Sequence, residues 1–132
     1  MLTENEIIKK TTKYLEDQGY QILQSLNTNE KGVDIVAEKN GTKIYVEAKG
    51  ETSSKSNTAR YGKPFSKNQV GTHIAVAILA AMKQKDKDKT CNVAIALPHN
   101  ENHTGIINNI RNSLRKAEII VYLVGKNDII VI

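Results

Sequence analysis

Asp34, Glu47 and Lys49 are the residues of this chain best placed to do chemistry: two carboxylates and an ammonium in the spacing Asp-(x)12-Glu-x-Lys, set around an Asn40-Gly41 pair. Two hard oxygen donors held close together suit Mg²⁺, which takes one or two carboxylates, keeps several waters and draws its remaining ligands from substrate phosphate. A neighbouring ammonium can hold an attacking water or stabilise charge growing on a phosphate. The chemistry this points to is a metal-held site at which water and a phosphate can be brought together.

The element that must position them is a β-hairpin. Asn-Gly between β-branched and apolar runs is the strongest short hairpin signal, because a type I′ turn needs positive φ at both central residues. With Asn40 and Gly41 as the loop, Lys39 faces Thr42, Glu38 faces Lys43, Val36 faces Tyr45 and Asp34 faces Glu47. Alternation then gives Val33, Ile35, Ala37, Ile44, Val46 and Ala48 to an apolar face, and Asp34, Glu47 and Lys49 to the other, so that one face is core and the other is chemistry. Like charges directly across a strand pair are destabilising, so a cation or a raised pKa must relieve Asp34 and Glu47.

This pattern resembles the PD-(D/E)XK nuclease superfamily, which includes restriction endonucleases, archaeal Holliday-junction resolvases and Mrr-like enzymes. Here it stands as Val33-Asp34 and Glu47-Ala48-Lys49, with Val33 in place of the proline that names the motif. The resemblance implies that Asp34, Glu47 and the Ala48 carbonyl bind Mg²⁺, with Mn²⁺ as a substitute, and that Lys49 assists the attacking water. Many members add an acid from the first helix; the helical wheel sets Glu4 nearer the buried face, Glu6 is accounted for by capping, and the role is assigned to neither. Some branches place a glutamine on the helix after the motif lysine, and Gln69 resembles that residue, joining Asp34, Glu47 and Lys49 as a candidate catalytic group.

Around the hairpin the chain reads in order. Thr3 to Gln18 is an amphipathic helix with Thr3 and Glu6 in capping-box spacing, Ile7, Ile8, Thr11, Tyr14 and Leu15 on one face, and Gly19 as terminator. Tyr20 to Leu26 is a short strand. Residues 50–66 are a polar loop leaving from the Lys49 end, and its Lys55, Arg60, Tyr61 and Lys63 are suited to phosphate contact and base stacking, against a reading as a merely solvated loop. Lys67 to Lys83 is a helix with Val70, Ile74, Ala77, Ile78 and Ala81 buried. On its flank Gln69 and His73 lie one turn apart, with His73 a candidate phosphate contact or acid whose commoner state is a hydrogen-bonded structural histidine. Lys83 to Lys89 reads as a solvated connector, Cys91 to Leu97 as a buried strand ended by Pro98, Asn102 to Ala117 as a helix, and Glu118 to Val124 as a strand before a short final strand at Ile129 to Ile132. His99 and His103 are expected at the surface, without a zinc site.

The whole is an α/β chain, residues 1–132 as a single domain, with a mixed β-sheet flanked by helices in the order α-β-β-β-α-β-α-β, like the restriction endonuclease core. A net charge of +5 over 132 residues and a pI near 9.3 fit a polyanionic partner. One cysteine, Cys91, excludes an internal disulfide and fits a cytoplasmic, reducing setting; there is no export signal and no apolar run long enough for a membrane span. The function expected is a Mg²⁺-dependent endonuclease acting on DNA in restriction, repair or recombination, with a homodimer as the simplest way to make two cuts. The alternatives are a non-catalytic nucleic-acid-binding module, or a nuclease subunit active only with a partner.

Overall fold

The computed structural model describes residues 1–27, 29–52 and 62–132. They form α1 (Glu4–Asp17), β1 (Gln21–Ser25), β2 (Ile35–Lys39), β3 (Thr42–Ala48), α2 (Lys67–Lys87), β4 (Asn92–Pro98), α3 (Glu101–Lys116), β5 (Ile119–Val124) and β6 (Ile129–Val131). The expected element order is the observed one, with the short final strand present.

All six strands make one sheet in the order β1-β2-β3-β4-β5-β6. The β1–β2, β2–β3 and β5–β6 pairs are antiparallel, while β3–β4 and β4–β5 are parallel. The parallel neighbours follow from α2 and α3, which carry the chain back across the sheet between β3, β4 and β5. Asn40 (φ 52°) and Gly41 (φ 80°) both take the left-handed conformation a two-residue hairpin turn demands. The register is the expected one, pairing Ile35 with Val46, Val36 with Tyr45, Ala37 with Ile44, Glu38 with Lys43 and Lys39 with Thr42.

The sheet has a core on each face, which corrects the expectation that the second face of the hairpin is bare chemistry. Ile35, Ala37, Ile44, Val46 and Ala48 pack with Ile7, Ile8 and Leu15 of α1. On the other face α2 and α3 bring Val70, Ile74, Ala77, Ala81, Ile107 and Leu114 against Val93, Ile95, Leu97 and Val121, and Tyr45 of β3 joins that cluster. Central β4 is buried from Val93 to Pro98 without alternation, as a strand covered on both sides must be. Chemistry is therefore confined to the end of the hairpin remote from its turn, where Asp34, Glu47 and Lys49 are half-buried.

Two further expectations change. Residues 83–87 are helical rather than a connector: α2 runs on to Lys87, Lys85 donates to the Cys91 carbonyl at 2.6 Å and lies 3.6 Å from Glu118. His103 is fully buried rather than at the surface, whereas His99 is exposed as expected.

Candidate active site

The strands of the hairpin part company at Asp34. The regular ladder stops at Ile35 and Val46; one step further the Ala48 N–H donates to Asp34 Oδ2 at 2.8 Å instead of to a strand carbonyl. The backbone at this point is held from the other side, since Leu26 N donates to the Asp34 carbonyl at 2.8 Å and Gln24 Nε2 to the Val33 carbonyl at 2.7 Å. Asp34 and Glu47 still meet, through a hydrogen bond between their carboxyl groups.

Pro98 closes β4, and having no N–H it cannot carry the β3–β4 ladder past Ala48 and Ala96. Lys49 keeps one bond to β4, its N–H donating to the Ala96 carbonyl at 3.0 Å. Beyond it the chain turns against the start of α1. A Cβ on Gly50 would run into the Glu4 backbone nitrogen and lie 2.7 Å from the Thr3 carbonyl carbon, so this crossing needs glycine. It brings Glu4 to the carboxylates. Thr3 and Glu6 form the expected capping box, which occupies Glu6; Glu4, partly buried in the same turn, is the acid that feels the charges of Asp34 and Lys49.

The four groups act on one another. Burial raises the Asp34 pKa, against the opposing pulls of the Ala48 N–H, the Glu47 hydrogen bond and the Lys49 charge. Glu47 is pushed up to about 7, first by burial, then by the Asp34 charge and hydrogen bond, with Glu4 adding to the rise and Lys49 opposing it. Glu4 is also raised, by burial and then by Asp34, with Lys49 again opposing. Both carboxyls of the central pair are raised, so the two together hold on to a proton more tightly than free acids do, and a cation would relieve the charge when it leaves.

His73 stands beside Lys49, its pKa lowered by burial and then by that charge, so its imidazole is neutral at pH 7. Its ring meets Phe65 edge-on at 4.5 Å between centroids, and its buried Nδ1 has no hydrogen-bond partner among the described residues, unlike the hydrogen-bonded structural histidine expected. Gln69 is spoken for: Ser66 N donates to its Oε1 at 2.8 Å and Gln69 N donates to Ser66 Oγ at 3.3 Å. That capping box was visible in Ser66-Lys67-Asn68-Gln69, which has the same spacing as Thr3 to Glu6. Lys63 is exposed, whereas Lys55, Arg60 and Tyr61 lie outside the described residues.

Two residues that sequence reading left without a role adjoin this cluster. Glu51 accepts Leu2 N at 2.6 Å and Asn100 Nδ2 at 2.9 Å on its two carboxylate oxygens. Asn100 caps α3, accepting His103 N at 3.0 Å on the Oδ1 that lies 2.8 Å from His103 Nδ1. Burial lowers the His103 pKa to about 4, with Glu51 opposing and His73 adding to the fall. A neutral His103 that donates from Nδ1 to this oxygen leaves Nε2 as the unprotonated nitrogen, and Nε2 has no partner among the described residues. The Asn100–His103 spacing was a legible cap signal; the burial was not.

Among the described residues, no three His, Cys, Asp or Glu side chains converge into a ready-made metal cage. The donors fit Mg²⁺ all the same. They are hard oxygens, two of them already share a proton that a cation can displace, and Mg²⁺ needs few protein ligands. A groove of about 810 Å³ between α1 and the β1–β2 turn, lined in part by Lys9, Lys13 and Asn27, contains none of these acids.

No protein-family model matches the chain, and no curated protein matches it. Among solved structures it is similar to an FdxN element excision controlling factor protein from Anabaena variabilis, at 16% identity and a TM-score of 0.52, over 96% of this chain and 95% of that one. At that identity the likeness establishes a shared mixed α/β fold.

Proposed function

We propose that the chain is a Mg²⁺-dependent endonuclease of the PD-(D/E)XK type that hydrolyses DNA phosphodiester bonds. The observation that carries the reading is the Asp34–Glu47 hydrogen bond at the open end of the hairpin, with Lys49 acting electrostatically on both acids and Glu4 on Glu47. Two acids in contact, with a third acting on Glu47 from the first turn of α1, are a cost for a protein that only binds an anionic backbone, and an advantage for one that holds a cation against it.

Asp34, Glu47 and the Ala48 carbonyl would hold the ion, with Glu4 as the further acid beside them. When bound, Mg²⁺ supplies a positive charge that polarises the scissile phosphate and eases deprotonation of the attacking water. Asp34 is kept in place by the Ala48 N–H on Oδ2, which fixes that carboxylate beside Glu47. Lys49 presents its ammonium beside both acids, where it orients the water and counters charge growing on the phosphate. His73, neutral next to Lys49, offers a hydrogen bond to phosphate.

DNA is the substrate favoured by the net charge of +5, and a neighbour named for controlling the excision of an element suits the recombination branch of this reading. We place the chain in the cytoplasm, where the buried thiol of Cys91 stays reduced; no described helix is long and apolar enough to cross a membrane. A second copy would serve where both strands are cut.

The test is cleavage of supercoiled, linear, single-stranded, flap and four-way-junction DNA with Mg²⁺, Mn²⁺ or EDTA, by wild type, Asp34→Ala and Lys49→Ala. The expected result is EDTA-sensitive cutting lost in both variants. If none of the three proteins cuts and all bind DNA alike, the binding-module reading replaces this one.

A further inference from the structure

Glu51 engages both of its backbone groups and both carboxylate oxygens. Its N–H donates to the Leu2 carbonyl at 2.8 Å, and its Oε1 accepts the Leu2 N–H at 2.6 Å, so it grips the peptide units on both sides of Leu2. Its Oε2 accepts Asn100 Nδ2 at 2.9 Å, and its carbonyl accepts Phe65 N at 2.9 Å. Next to it Thr52 forms a parallel bridge with Thr3. Gly50, on its other side, lies so close to Glu4 that a Cβ would collide with backbone.

These contacts fall at one place, the two residues that precede Glu4. The apolar face of α1, with Ile7, Ile8 and Leu15 fully or almost fully buried, already docks the helix on the sheet. What that packing leaves loose is the first turn, where fraying is cheapest and where a small rotation decides whether Glu4 reaches Asp34 and Glu47. We propose that Glu51 is a positioning residue: by clamping the backbone around Leu2 it sets the first turn of α1 so that the Glu4 carboxylate can close on a cation held by the Asp34–Glu47 pair. Through Asn100, whose Oδ1 is taken by His103, the same carboxylate ties that turn to the start of α3.

The inference rests on the metal-dependent reading above, and its test reads cation binding directly. Mn²⁺ dissociation constants of the full chain are measured by electron paramagnetic resonance for wild type, Glu4→Ala, Glu51→Ala, the double variant and Glu51→Gln, with melting temperatures alongside. Outer residues that orient metal ligands cost about 10- to 100-fold in affinity when removed, so Glu51→Ala is expected to weaken Mn²⁺ at least about 10-fold. Because Glu51 acts through Glu4, the double variant binds no more weakly than Glu4→Ala alone. Glu51→Gln, which can still accept the Leu2 N–H, recovers most of the affinity even if it melts lower. If Glu51→Ala does not fold, Leu2→Pro removes the donated N–H and takes its place in the cycle.

A purely structural Glu51 predicts a lower melting temperature with unchanged Mn²⁺ affinity, and that result overturns the proposal. Additive losses in the double variant overturn it as well. A wild type that binds Mn²⁺ no better than Asp34→Asn removes the cation site itself, and the metal-dependent reading falls with it; intact wild-type binding with an inert Glu51 removes only the clamp.

Discussion

Asp34 and Ala48 are joined by a hydrogen bond from the Ala48 N–H to Asp34 Oδ2 at 2.8 Å, which stitches the first carboxylate of the motif to the strand that carries the second. Where a strand pair would have spent that N–H on a carbonyl, the chain spends it on an acid. The result is a rigid placement of one oxygen and an enforced approach of Asp34 to Glu47, whose mutual repulsion is the electrostatic signature of the site.

Asp34→Asn is expected to separate placement from charge. The amide oxygen can still accept the Ala48 N–H, so the melting temperature holds or rises as the repulsion of Glu47 is relieved. Cleavage falls by about 100-fold or more, the scale on which removing one electrostatic participant in a transition state is felt. Thermal melting beside single-turnover cleavage distinguishes this from simple unfolding.

Cation binding should depend on pH through Glu47. With its pKa at about 7 in the metal-free chain, the acid is mostly protonated at pH 6 and must lose that proton to ligate. Mn²⁺ affinity therefore rises as pH increases, by up to about 10-fold per unit below 7, and levels off above it. A Glu47→Gln variant should show weak binding with that slope removed; a slope that survives the substitution assigns the proton to another group.

His103 should govern part of the acid stability. Its folded pKa of about 4 lies below the ordinary 6.5, so the unfolded chain binds the proton more tightly between those values. The stabilisation is fully present above pH 6.5 and is lost as pH falls toward 4, an effect of about 2 to 3 kcal/mol. Urea unfolding of wild type and His103→Gln at pH 7.5 and 4.5 checks it. The variant should lose less stability than wild type over that interval, and equal losses would clear His103 of the role.

Arg60→Ala is expected to weaken DNA binding with the fold intact, and to reduce the salt dependence of binding by about one counterion. Fluorescence anisotropy at several salt concentrations measures both. Unchanged affinity throughout would remove residues 53–61 from the binding surface.

Much of this protein was determined locally. Asn40-Gly41 favours positive φ at both of its residues, so the hairpin, its register and the apolar face of Ile35, Ala37, Ile44 and Val46 could be read before any fold was in hand, whereas the second core on the opposite face could not. Thr3 and Glu6, Ser66 and Gln69, and Asn100 and His103 cap helices through contacts three residues apart, and these too are sequence-legible even where Gln69 invited another role. The amphipathic stripe Ile7, Ile8, Thr11 and Leu15 named the face of α1 that is buried. Only the tertiary structure decided what meets at the end of the hairpin. Glu4 and Asp34 are 30 residues apart, and Glu51 reaches Leu2 and Asn100 across 49 residues in each direction. His103 is fully buried on α3, the helix whose Ile107 and Leu114 share a core with Val70 and Ile74 of α2. No periodicity encodes such meetings, because they arise where separately formed elements dock, and there burial and the field of distant charges reset what each acid and imidazole can do.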